Sequence, residues 1–166
     1  MQGTVAVLFW IFAVLAVAGG VGVVAAKNPV HGAMSLVGSF FALAGLYLLL
    51  DAQLIAALQV IVYAGAVMVL FLFVLMLLNL TPAELGSPRF GVGKVVGALC
   101  AAGVTALVVS TLVALPVRAT PAATDFGTVA AVGRLLYGKF TLAFEATSVL
   151  LLAAIVGAVV VAKGKI

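Results

Sequence analysis

Uninterrupted apolar runs, each of about twenty residues or more, recur from one end of this sequence to the other, and no other feature constrains the fold as strongly. A hydrocarbon layer of about 30 Å is crossed by roughly 20 apolar residues in an α-helix, which satisfies its backbone N–H and C=O groups internally. Of the 166 residues, 67% are hydrophobic and 7% charged, with a mean hydropathy of +1.46. A water-soluble core cannot hide that much apolar surface. The runs predict an all-α integral membrane protein of five transmembrane helices, near residues 3–26, 29–50, 54–79, 91–115 and 141–162. They make up a single membrane domain over 1–166, with no soluble domain and a long loop near 116–140. Barrel strands would alternate apolar and polar residues over about ten positions, and these runs do not. The first run has no basic n-region and no clear cleavage site, which reads as a helix and not as a signal peptide.

Charge then sets orientation. The net charge of +4 is scattered over the loops and the C-terminus, without the basic cluster that grips nucleic acid. Lys27, Arg89, Lys94, Lys163 and Lys165 fall on one side of a five-helix chain, and Arg118, Arg134 and Lys139 on the other. Basic residues concentrate on the cytoplasmic side, which predicts an outside N-terminus and a cytoplasmic C-terminus. Cys100 is the single cysteine and His31 the single histidine. Haem held by two axial ligands, an iron–sulfur cluster or a structural zinc each needs more than this chain can offer.

Breakers punctuate the loops: "KNPVHG" after the first run, "TPAELGSPRFG" after the third, and "LPVRATPAATDFGTVAAVGRLLYGKF" after the fourth, the last long enough to hold structure of its own. The link around Asp51 and Gln53 is so short that the second and third helices should form a tight antiparallel pair. Small residues recur every three or four positions, as in Gly38, Ala42 and Gly45, then Gly93, Gly97 and Ala101, then Ala153 and Gly157. Such rows let backbones approach in lipid, and they point to partner subunits around the chain.

The third run carries the most specific pattern. In α-helical register Ala56, Gln59, Tyr63 and Ala66 share one face, a small and polar stripe on an apolar cylinder. A buried amide or phenol without a partner costs on the order of 1 to 3 kcal/mol, so both should point into protein or a hydrated cavity. Gly65 weakens the local helical preference by roughly 1 kcal/mol relative to alanine. The combination favours a turn that can loosen, such as a π-bulge, which inserts one extra residue and is common at functional positions. The alternative is a Tyr and Gly packed statically against a neighbouring helix. Two carboxylates lie near the membrane, Asp51 after the second helix and Glu145 in the first turns of the fifth. Intramembrane carboxylates read as functional by default, but near an end they also serve as caps or complement the helix dipole. No line of titratable groups crosses the middle of the chain, so partners must supply any proton relay.

At this point the residues resemble a known family. "KNPVHGAMSLVGSFFALAGLYLLLDAQLIAALQVIVYAGAVMVLFLFVLMLLN", Lys27 to Asn79, is similar to the signature region of the chain J (subunit 6) family, a membrane-arm subunit of proton-pumping NADH:quinone oxidoreductase, respiratory complex I. Asn28-Pro29-Val30-His31, Ala44-Gly45-Leu46-Tyr47 and Val62-Tyr63-Ala64-Gly65-Ala66 follow the family order. Phe144 to Lys163 resembles its last helix, with the Phe-Glu pair at Phe144 and Glu145, and departs from it at Ala143, where many relatives have proline.

The resemblance implies a non-catalytic subunit of a proton-translocating NADH:quinone oxidoreductase in the bacterial inner membrane, with a periplasmic N-terminus. It implies a helix that switches between α-helical and π-bulged forms, with Tyr63, Gly65, Val67, Met68 and Val69 as gate and Gln59 beside them. It also implies neighbours: the small K-type subunit, the quinone-site H-type subunit, the A-type subunit and the antiporter-like N-type subunit, all in membrane lipid. NADH, FMN, iron–sulfur clusters and quinone would belong to partner subunits, and no cofactor or metal to this chain. Two other readings stand beside it: a structural membrane subunit of a related ferredoxin-dependent complex, and a protomer of a small homo-oligomeric carrier. The carrier would need a deep charged residue on a pore-facing stripe.

Overall fold

The computed structural model describes residues 2–78, 92–115 and 126–164. Six helices lie within them: α1 (Gln2–Ala25), α2 (Pro29–Leu49), α3 (Gln53–Leu78), α4 (Val92–Ala114), α5 (Val129–Tyr137) and α6 (Thr141–Ala162). All but α5 are long and apolar enough to cross a membrane. The expected spans agree with these bounds to within a few residues. The "TPAELGSPRFG" link and Arg89, Arg118 and Lys165 lie outside the described residues.

Local chemistry explains the helix ends. Asn28 caps α2, its side-chain oxygen accepting from the Val30 N–H at 2.9 Å, and Pro29 occupies the first helical position, where its missing N–H is no loss. At the other end of α2 the Ala52 N–H donates to the Tyr47 carbonyl (3.0 Å) and the Asp51 N–H to the Leu48 carbonyl (3.1 Å). This is a Schellman closure, and Asp51 takes the left-handed position with φ of 58°. Thr128 caps α5 by accepting from the Ala131 N–H at 3.2 Å.

Helices α1 and α2 pack through small residues, among them Ala42 and Gly45 of the row that sequence periodicity singles out, but not Gly38. A Cβ at Gly45 would lie 2.7 Å from the Phe12 ring, and one at Gly19 would lie 2.8 Å from the Ser39 Cβ. The Ser39 hydroxyl donates across the interface to the Ala16 carbonyl at 2.9 Å. In lipid, close backbone approach and such hydrogen bonds replace the hydrophobic effect as the association force. Gly38 is the exception: it is exposed, and a Cβ there would meet nothing within 4 Å.

Helix α3 returns against α2 as the expected antiparallel neighbour, while α5 packs against the start of α3 and against α6. A tilted ring contact between Tyr137 and Phe144, centroids 5.0 Å apart, joins α5 to α6. Helix α4 packs against no other described helix, and α6 against none but α5. Their small-residue rows, Gly93 and Gly97 in α4 and Gly157 in α6, therefore meet no neighbour among the described residues.

Candidate conformational site in the third helix

Helix α3 changes its hydrogen-bonding period along its length. Gln53–Leu58 is α-helical, Gln59–Val67 is π-helical and Met68–Leu78 is α-helical again. The Gln59 N–H reaches back to the carbonyls of Ile55 and Ala56, whereas the Met68 N–H reaches the carbonyl of Tyr63, five residues back, and that of Gly65. Several residues here lower the cost of this departure. Val60, Ile61, Val62 and Val67 are β-branched and lose side-chain freedom in an α-helix. Gly65 has no side chain, and a Cβ there would lie 3.3 Å from the Val60 carbonyl oxygen, five residues back along the wide turn. That spacing is tighter than ordinary van der Waals contact, so glycine relieves crowding that any other residue would add.

The widened period changes which residues face α2. Ala56, Gln59, Ala64 and Met68 are the buried positions of α3, at intervals of three, five and four. The interval of five lies within the π segment. A regular α-helix puts Tyr63 and Ala66 on the face of Ala56 and Gln59; here both are exposed and Ala64 has the inner position. The sequence-based stripe is corrected for that reason: its arithmetic assumes one period throughout. Tyr63 is half exposed, and its ring meets that of Phe40 on α2 edge-on, centroids 5.7 Å apart at 67°. Edge-to-face contact of this kind matches the positive edge of one ring to the negative face of the other.

The named gate residues thus divide into two groups. Gln59 (8% exposed) and Met68 (3%) lie inside, against the chain's own helices. Tyr63, Val67 and Val69 lie outside, where lipid or another subunit would meet them, and Gly65 is between the two groups. Phe40 escaped sequence reasoning, because nothing in a single sequence pairs it with Tyr63 until the register of α3 is known.

The two carboxylates lie away from this segment. Asp51 is exposed in the α2–α3 turn. Glu145 is exposed as the fifth residue of α6, beyond its first turn, where the dipole effect has largely faded. The short amphipathic helix α5 was also not foreseen as a helix, although Thr128 and Gly138 bracket it as cap and stop. Among the described residues no group of three or more His, Cys, Asp or Glu side chains could hold a metal ion.

Comparison with known proteins identifies the family. The family described as NADH-ubiquinone/plastoquinone oxidoreductase chain 6 matches residues 19–161. The NAD(P)H-quinone oxidoreductase chain 6 of Nostoc sp. is 40% identical over 164 residues, covering 98% of this chain and 81% of the relative. NADH-quinone oxidoreductase subunit J of Rhodobacter capsulatus is 38% identical over 157 residues, 91% of this chain and 78% of the relative. F(420)H(2) dehydrogenase subunit J of Methanosarcina mazei is 34% identical over 166 residues, 95% of this chain and 90% of the relative. With matches of this extent, and with the five spans that the fold provides, the chain belongs to the NADH-ubiquinone/plastoquinone oxidoreductase chain 6 family.

Proposed function

We propose that this chain is a membrane-arm subunit of a proton-pumping NADH:quinone oxidoreductase, and that α3 couples quinone reduction to proton movement by switching between π-helical and α-helical geometry. The observation that carries the reading is the π segment Gln59–Val67 around Gly65, in the middle of a helix long enough to cross the membrane. A two-state element of this kind is biased by any ligand or neighbour that prefers one state. Tyr63, Gly65, Val67, Met68 and Val69 form the gate, with Gln59 beneath it. The chain acts as one membrane domain and carries out no chemistry itself. NADH, FMN, iron–sulfur clusters and quinone belong to partner subunits.

The outward position of Tyr63, Val67 and Val69 supports a partner on that side, which this reading assigns to the K-type subunit, with the H-type subunit at the quinone end. The unpartnered faces of α4 and α6 suit the A-type and N-type neighbours. Five basic residues against three support a periplasmic N-terminus and a cytoplasmic C-terminus in the bacterial inner membrane.

Replacing Gly65 with valine in the assembled complex tests the reading. A branched side chain against the Val60 carbonyl disfavours the wide turn, so quinone reduction and pumping fall while NADH oxidation by artificial acceptors persists. Full quinone turnover with normal pumping in that variant would contradict the proposal. A second reading differs only in the electron donor. The similarity to a subunit of an F(420)H(2) dehydrogenase favours it, and copurification of a donor-binding subunit for NADH or for F420 decides between them.

A further inference from the structure

The geometry points to Phe40 of α2 as the positioning residue that holds the α3 switch in its π register, through its ring contact with Tyr63. This inference rests on the two-state reading of α3. Its basis is the register of α3 against α2. In the π register Ala64 occupies the inner position, and the Tyr63 ring is displaced outward to lie edge-on against Phe40, 5.7 Å away. Conversion of the segment to α geometry removes one residue from the wide turn. Residues beyond the turn then shift by one position relative to α2: Tyr63 moves toward the place of Ala64, and Val67 toward that of Met68. Ala64 is buried at 8% exposure and Met68 at 3%; the smaller Val67 fits the place of Met68, whereas the place of Ala64 is sized for a methyl group.

Two consequences follow from the sizes of these side chains. A phenol must enter a site shaped for a methyl group, so the α2 side chains facing it have to give way. The edge-on contact with Phe40 is also lost, because Tyr63 cannot be at the inner position and outside it at once. Phe40 therefore stabilises the π state selectively. The ring that Phe40 meets is that of Tyr63, so Phe40 acts through Tyr63.

The ratio of the two α3 geometries in the assembled complex tests this, read by single-particle structure determination during turnover. Phe40→Leu keeps apolar bulk and removes the ring; it is expected to lower the π-to-α ratio by roughly 2- to 10-fold, the usual strength of an aromatic pair. Phe40→Tyr keeps the ring and should restore the wild-type ratio, a rescue that a merely space-filling role would not require. Should Phe40→Leu prevent assembly, Tyr63→Leu removes the other half of the contact and is expected to shift the ratio in the same direction. An unchanged ratio in whichever leucine variant assembles, with both geometries present in wild type, overturns the role of Phe40 and leaves the switch intact. Absence of the α form from wild type in every state overturns the switch itself, and this inference with it.

Discussion

Gly127 packs against the backbone carbonyl of Asp51, and both residues adopt left-handed backbone, with φ of 72° and 58°. A Cβ at Gly127 would lie 2.8 Å from the Asp51 carbonyl carbon and 3.2 Å from the Ala52 Cα, so only glycine fits. The contact ties the segment leading into α5 to the turn between α2 and α3. It also places residues 51 and 127 at the same end of the molecule, as an even number of crossings between them requires.

Gly127→Ala should therefore detach α5 from the α2–α3 turn. Left-handed backbone alone costs a non-glycine residue about 1–2 kcal/mol, and the clash adds to it. The expected result is a lower melting temperature of the assembled complex, or a reduced yield of it, measured beside wild type.

Asp51 separates structure from chemistry. Its left-handed position is one that glycine takes more easily, so Asp51→Gly should keep the complex within about 1 kcal/mol of wild-type stability, while Asp51→Val should destabilise it by about 1–2 kcal/mol or more. Loss of quinone reductase activity in the stable Asp51→Gly variant would assign the carboxylate a function. Wild-type activity would leave it as a turn residue.

The five spans were legible because lipid demands long apolar runs, and the start of α2 because the breaker "KNPVHG" interrupts them. The face of α3 was not. Period arithmetic placed Tyr63 with Gln59, but a wide turn moves every later residue by one position, and only the three-dimensional register reveals that Ala64 and Met68 face inward. Helix α5 was hidden for a different reason. At nine residues it is too short for the hydropathy signal of a span, and its stability comes from packing on α3 and α6. The rows of small residues in α4 and α6 match nothing among the described residues, whereas Gly45 does have its partner in Phe12.

Gly45 and Gly38 make a matched pair on α2. Gly45→Val drives a branched side chain into the Phe12 ring and should cost about 1–3 kcal/mol, recovered in part by Phe12→Ala. Gly38→Ala meets no neighbour among the described residues and should be tolerated unless a partner subunit covers it. Membrane yield and thermal stability of these variants provide the comparison. Ser39→Ala, which removes the hydrogen bond to Ala16, should cost about 0.6 kcal/mol by the same measurement.

Topology gives an independent check. Cysteines introduced at Asp51 and Lys139, in a background without Cys100, should react with a membrane-impermeant reagent from the periplasmic side, and those at Lys27 and Lys163 only after the cytoplasmic side is opened. Reaction of positions 51 and 139 from opposite sides would contradict both the crossing number and the Asp51–Gly127 contact.

The most direct test of the central claim is the backbone geometry of α3 in the assembled wild-type enzyme, determined at rest and during turnover. The account predicts two states: one with the π segment over Gln59–Val67 and Met68 facing inward, and one α-helical throughout with Val67 in that place. A single geometry retained in every state, with Tyr63 never leaving Phe40, would contradict it.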